Sequence, residues 1–168
     1  MKSIALYPGS FDPITYGHLD ILERASDLFE KVIVTVAVNR KKEAVFTGNE
    51  REDLIAQCIS NEPWATNVQI HQFTGLLVDF AKKMNASTLV RGVRQVSDFE
   101  YEFRMALMNR RLAPKIETVF LMPREELTFV SATLVKEVAY WGGDLHSFVP
   151  DKVAKALRQK FNQSPNQE

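Results

Sequence analysis

The sequence predicts an α/β fold: a single domain on a doubly wound, parallel, five-stranded sheet with helices on both faces. Three observations predict it. Strand-like and helix-like segments alternate along the chain, which implies parallel strands joined by right-handed crossovers. Lys31 to Val38 reads Lys-Val-Ile-Val-Thr-Val-Ala-Val, β-branched and nearly all apolar, as a strand covered on both faces should be. The 168 residues, 45% hydrophobic and 25% charged, suit one globular domain. A chain this long buries roughly 70% of its unfolded surface. It needs no disulfide, and Cys58 is its single cysteine.

The elements follow in order. Ile4 to Tyr7 is a short apolar strand, and Pro8-Gly9 opens a turn-rich segment. Leu19, Leu22, Ala25 and Phe29 recur at helical spacing. After the strand at 31–38, Thr47-Gly48-Asn49-Glu50 has capping-box spacing and opens a helix to about Ser60. Val68 to Phe73 alternates as a strand; Leu76 to Met84 is a helix, with Asn85 as a left-handed cap. Thr88 to Val90 is a strand ending at Arg91-Gly92, and Ser97 to about Leu112 a helix. Glu117 to Met122 is a strand stopped by Pro123. Ser131 to Trp141 is a helix closed by Gly142-Gly143, and Pro150 to Phe161 is the last, with proline in its first turn. The domain is expected to span 1–161, with 162–168 a polar tail.

Lys+Arg number 21 and Asp+Glu 21, so the formal net charge is zero. This argues against a nucleic-acid surface, which needs a basic surplus, and against an acidic disordered chain. No stretch approaches the roughly 20 apolar residues of a membrane span. The apolar run at the N-terminus is too short for a signal peptide. A cytoplasmic location is expected.

In open sheets of this kind ligands bind outside the carboxyl ends of the strands. The first such end carries Gly9, Ser10 and then Gly17-His18, where a helix begins. That helix start presents N–H groups and a positive dipole end to an anion, and a histidine there can donate to a phosphate oxygen. A hydrolase built from Ser10, Asp12 and His18 is disfavoured: no Gly-x-Ser-x-Gly elbow is present. His18, His71 and His146 lack metal-ligand spacing, and the P-loop pattern is absent. The second strand end carries Arg40-Lys41-Lys42, which alone reads as a solvated patch. The fourth carries Arg91-Gly92-Val93-Arg94, two forked donors suited to phosphate oxygens or to salt bridges with Asp98 or Glu100. Ser131 after the fifth strand is an N-cap, or the cap of a second anion-binding helix start.

Tyr-Pro-Gly-Ser-Phe-Asp-Pro-Ile-Thr-Tyr-Gly-His, residues 7–18, resembles the opening signature of the bacterial phosphopantetheine adenylyltransferases. These belong to the nucleotidylyltransferase superfamily, marked by [HT]-x-G-H. Arg-Gly-Val-Arg at 91–94, Asp-Phe-Glu-Tyr-Glu at 98–102 and Met-Asn-Arg at 108–110 match further family signatures. The resemblance runs from about Ile4 to Leu157. Two departures stand out. Val-Ser-Ala-Thr at 130–133 replaces the family's consecutive serines, leaving a hydroxyl missing at Ala132. Ser10 replaces the threonine of many members.

The resemblance implies a Rossmann-like nucleotidylyltransferase domain that joins ATP and 4′-phosphopantetheine into 3′-dephospho-CoA and pyrophosphate. It implies ATP contacts from Ser10, Phe11, His18, Gly92, Val93, Arg94 and Glu102. Leu127, Thr128, Phe129, Val130, Ser131, Ala132 and Thr133 complete the nucleotide set. Acceptor contacts fall to Ser10, Lys42, Leu77 and Arg91, and the catalytic donor is His18. Mg²⁺ is the expected cofactor, held mostly by ATP oxygens and water rather than by protein side chains. A homohexamer built as a dimer of trimers, and feedback by coenzyme A, are family expectations. The rivals are a nucleotidylyltransferase with another small phosphorylated acceptor, such as a nicotinamide or glycerol phosphate, and a nucleotide-binding regulatory module without catalysis.

Overall fold

The computed structural model describes residues 3–38 and 43–162. Five strands form one sheet: β1 (Ile4–Gly9), β2 (Lys31–Ala37), β3 (Val68–Phe73), β4 (Thr88–Gly92) and β5 (Glu117–Leu121). Their order is β3-β2-β1-β4-β5 and every neighbouring pair is parallel. The helices are α1 (Tyr16–Leu28), α2 (Gly48–Ile59), α3 (Leu77–Lys83), α4 (Val96–Leu112), α5 (Ala132–Tyr140) and α6 (Asp151–Asn162). The doubly wound α/β fold is therefore the one the alternation predicts. The strand order reverses between β1 and β4, so the crevice for a ligand opens there.

Both sheet faces are covered, as the apolar run of β2 requires. Ala5, Tyr7, Val32, Val34, Val36 and Val90 face one core with α1, α2, α5 and α6. Leu6, Ile33 and Leu89, the alternate positions, face a smaller core with Val78 and Ala81 of α3.

Several boundaries moved, each for a local reason. β1 runs to Gly9 because Pro8 and Gly9 keep their register with Thr35 and Val36 of β2. On the other side β1 pairs with β4 only at Ala5 and Leu6. The Pro8 carbonyl, beyond that pairing, is taken by Arg91 Nη1 at 2.7 Å. Two 3₁₀ turns, Pro63–Asn67 and Glu125–Leu127, occupy segments whose sequence carries no periodicity. The last helix starts at Asp151, and the Pro150 carbonyl accepts from Val153 and Ala154, so the proline caps the helix rather than entering it. That helix reaches Asn162; residues 163–168 of the expected tail lie outside the described residues. Asn85 has φ 54°, the left-handed cap expected after α3, and Gly142 has φ 73° where α5 closes.

Candidate active site

A cleft of about 430 Å³ lies above the crossover between β1 and β4. Ser10, Phe11, His18, Arg91, Gly92, Arg94, Glu102, Val130, Ser131, Ala132 and Thr133 all line it. The sheet thus gathers, at one edge, residues drawn from four separate stretches of chain.

His18 is placed by a capping box. Thr15 caps α1, and its Oγ1 accepts from His18 N at 3.4 Å. In return Thr15 N donates to His18 Nδ1 at 3.1 Å. A backbone N–H can only donate, so Nδ1 is the unprotonated nitrogen and Nε2 carries the hydrogen in the neutral ring. The usual Glu or Gln of a capping box is replaced by an imidazole, which makes one motif both a helix start and an oriented donor. Desolvation, then Arg94 and Arg91, pushes the His18 pKa down to about 4. The ring is therefore neutral at pH 7. The Phe11 ring stands edge-on to it, with centroids 5.2 Å apart. Phe11 is buried at φ 47°, a left-handed conformation that costs of order 1–3 kcal/mol. Its ring fills the space over Gly9: a Cβ there would meet Phe11 Cζ at 2.9 Å. The close approach Gly9 permits is thus internal.

The two cleft arginines are held by carboxylates. Arg91 grips Glu102 with both prongs, Nε to Oε2 at 2.6 Å and Nη2 to Oε1. Arg94 Nε donates to Asp98 at 3.1 Å and its Nη1 to the Val130 carbonyl at 2.9 Å. Ser131 Oγ accepts from Leu134 N at 3.1 Å, so the N-cap is real and the first turn of α5 faces the cleft. Burial pushes the Tyr7 phenol, another lining group, well above its ordinary value, so it stays protonated.

Other expected contacts lie elsewhere. Val93 is buried, its N–H on the Leu121 carbonyl, beneath the cleft rather than in it. Leu127 packs against the larger core and lines a separate cavity with Cys58, whose thiol burial pushes up to about 11. Thr128 Oγ1 donates to Glu125 O, and the Phe129 ring meets Phe148. Leu77 opens α3 and packs on the smaller core. Lys42, with Arg40 and Lys41, lies outside the described residues.

The framework uses residues that no spacing flagged. Asp12 accepts from Val45 N at 3.1 Å, Phe46 N at 2.9 Å and Lys136 Nζ at 2.9 Å. It clamps the chain after β2 to α5. Buried Arg51 donates to Ser10 O at 2.7 Å and Ala37 O at 3.0 Å, holding the first two strand ends together. Thr15 was findable, since Thr-x-x-His has capping-box spacing.

The model of the cytidylyltransferase-like family matches residues 6–138. A phosphopantetheine adenylyltransferase from Caldanaerobacter subterraneus subsp. tengcongensis is 50% identical over 161 residues, covering 96% of this chain and 99% of that protein. The chain belongs to the phosphopantetheine adenylyltransferase family. Solved structures share its fold at low identity. A nicotinic acid mononucleotide adenylyltransferase from Plasmodium falciparum superposes with TM-score 0.71 at 16% identity, covering 97% of each chain. A bifunctional NMN adenylyltransferase/ADP ribose pyrophosphatase from Francisella tularensis gives TM-score 0.75 at 16% identity, covering 98% of this chain and 51% of that one. Within the adenylyltransferase family, the cleft at the β1–β4 crossover is the candidate place for nucleotidyl transfer. Among the described residues, no helix is long and apolar enough to cross a membrane.

Proposed function

We propose that the protein transfers the adenylyl group of ATP to 4′-phosphopantetheine, giving 3′-dephospho-CoA and pyrophosphate. The observation that carries this reading is the oriented, neutral His18 Nε2–H in a cleft that also holds Arg91, Arg94 and the α5 start. A phosphate oxygen of the acceptor attacks the α-phosphorus of ATP in line. The new O–P bond forms as the bond to the β-phosphate oxygen breaks, and pyrophosphate leaves with that electron pair. The acceptor phosphate is already ionised at pH 7, so no general base is required, and catalysis is positioning plus charge stabilisation. His18 donates to an α-phosphate oxygen, where negative charge builds up. Arg94 and the α5 start face the pyrophosphate side, and Arg91 the acceptor phosphate.

Mg²⁺ enters this scheme as part of the substrate, MgATP. Asp98 and Glu102 in the cleft already accept from arginines, and the described residues include no group of three His, Cys, Asp or Glu able to hold a metal. The ion supplies charge neutralisation between phosphate oxygens. Coenzyme A carries both the adenylyl and pantetheine halves of the two substrates, and the same cleft is its assigned site as a feedback ligand. The cytoplasm, which holds ATP, is the assigned location.

We assign a homohexamer. α4 leaves Val96, Tyr101, Phe103, Leu107, Met108 and Leu112 exposed, more apolar surface than one helix of a monomer ordinarily shows water. Light scattering on the wild type and on Met108→Glu tests this: the wild type should be hexameric and the variant smaller.

The deciding assay is pyrophosphate release from MgATP with and without 4′-phosphopantetheine. Acceptor-dependent release is expected. Release with nicotinamide mononucleotide or glycerol 3-phosphate instead, from CTP in place of ATP, or with no acceptor dependence, defeats the reading.

A further inference from the structure

We propose that Asp20 is a positioning residue for the nucleotide half of the cleft, an inference that rests on the adenylyltransferase reading. α1 carries His18 into the cleft, and two residues later turns Asp20 the other way, toward the chain after β5. That chain, Met122 to Ser131, supplies Pro123, Val130 and Ser131 to the cleft wall.

Asp20 is 5% exposed, an unusual place for a carboxylate on an amphipathic helix. Its partners explain the burial. Oδ2 accepts from the backbone N–H of Arg124 at 3.2 Å and from Arg24 Nη2 at 3.2 Å. The same Arg24 nitrogen also donates to the Met122 carbonyl. Arg124 Nε lies 2.9 Å from Oδ1. It is off the line a hydrogen bond needs, so this contact is an ion pair, and Oδ1 accepts no hydrogen bond among the described residues.

The anchor propagates along the loop. The Arg124 carbonyl accepts from Leu127 N at 2.9 Å, starting the 3₁₀ turn, and the Leu127 carbonyl accepts from Val130 N at 3.1 Å. The Val130 carbonyl then accepts from Arg94 at 2.9 Å, inside the cleft. One carboxylate thus sets the start of the segment that ends in the Ser131 cap and steadies Arg94. No comparable contact leads from Asp20 to Arg91, on the acceptor side, among the described residues. Loosening it should weaken ATP and spare the acceptor.

The test is equilibrium calorimetry with MgATP alone and with 4′-phosphopantetheine alone, on the full chain. Asp20→Ala is expected to weaken MgATP about tenfold, the loss of hydrogen bonds to a charged group, with acceptor affinity unchanged. Asp20→Asn keeps an oxygen for the Arg124 N–H and should lie between Asp20→Ala and wild type. Arg124→Met, at a side chain 60% exposed, should weaken MgATP about twofold to threefold with its melting temperature unchanged. Unchanged MgATP affinity in a folded Asp20→Ala overturns the proposal, as does an equal loss for both ligands. If Asp20→Ala does not fold, Arg124→Met decides in the same way. Binding is read without turnover. A wild type that binds MgATP selectively through Asp20 but shows no acceptor-dependent release therefore defeats the proposed reaction alone.

Discussion

Two histidines of this protein have similar neighbours and different prospects. His18 Nδ1 accepts from Thr15, and its other nitrogen faces a cleft with two arginines and a helix start. His146 Nδ1 meets Asp144, and its Nε2 lies 3.2 Å from Ser147 Oγ. On paper the second set is the more suggestive, since Ser, His and Asp in a row are the parts of a hydrolytic triad. Yet the Asp144 and His146 side chains are 67% and 73% exposed, and neither they nor Ser147 line the cleft. Water screens such a set. A site is made by a concave, partly dehydrated place with several aligned donors, and residue identity is only its first requirement.

The sharpest way to break that comparison is His18→Ala. Loss of one oxyanion-type donor is expected to lower kcat roughly 10²–10³-fold, with the circular dichroism spectrum unchanged; near-normal turnover would remove His18 from the mechanism. Next comes Arg91→Ala, which leaves the Glu102 carboxylate facing anionic substrates without its partner. Its kcat/KM for the acceptor should fall roughly tenfold to a hundredfold, and adding Glu102→Gln should restore part of the loss. A smaller effect is expected of Lys136→Met, which strips a cation from buried Asp12. It should cost about 1–3 kcal/mol, read as a fall of several degrees in Tm.

The pH dependence follows from the direction of the His18 shift. The folded ring titrates near 4 against an ordinary 6.5, so the unfolded chain binds the extra proton first. Stability is fully present above 6.5 and declines as pH falls toward 4. Denaturant titrations should show wild type losing stability relative to His18→Gln as pH falls across that window; a constant difference would mean the ring is not held neutral. MgATP should raise the His18 pKa, because phosphate charge favours the imidazolium, and an NMR titration reads this directly. The smallest effect is His146→Ala, expected to leave kcat within about twofold. A larger loss would show that the exposed set contributes to function.

Legibility in the sequence followed distance along the chain. β3 occupies the residues its alternation marks, and α2 begins at its capping box. His18, Arg91 and Arg94 were readable because a strand end and the following helix start are local features. The local partners Thr15 and Asp98 were readable as well; the long-range contacts that frame the cleft were not. Asp12 meets Lys136 across 124 positions, and Asp20 meets the Arg124 backbone across 104. No periodicity encodes a contact of that range. The stretch 127–129, read as one nucleotide-binding run with 130–133, divides because the 3₁₀ turn sends Leu127 into the core and Phe129 onto Phe148.

By itself, then, the sequence determined the alternation of strands and helices, the doubly covered sheet and the edge at which the cleft opens. Those follow from side-chain periodicity and from the handedness of the chain. Only the tertiary structure decided the low pKa of His18, the pairing of Arg91 with Glu102, and the buried carboxylates that hold the cleft in shape. Each of these depends on which distant groups are brought together and screened from water, and that is settled only when the sheet closes.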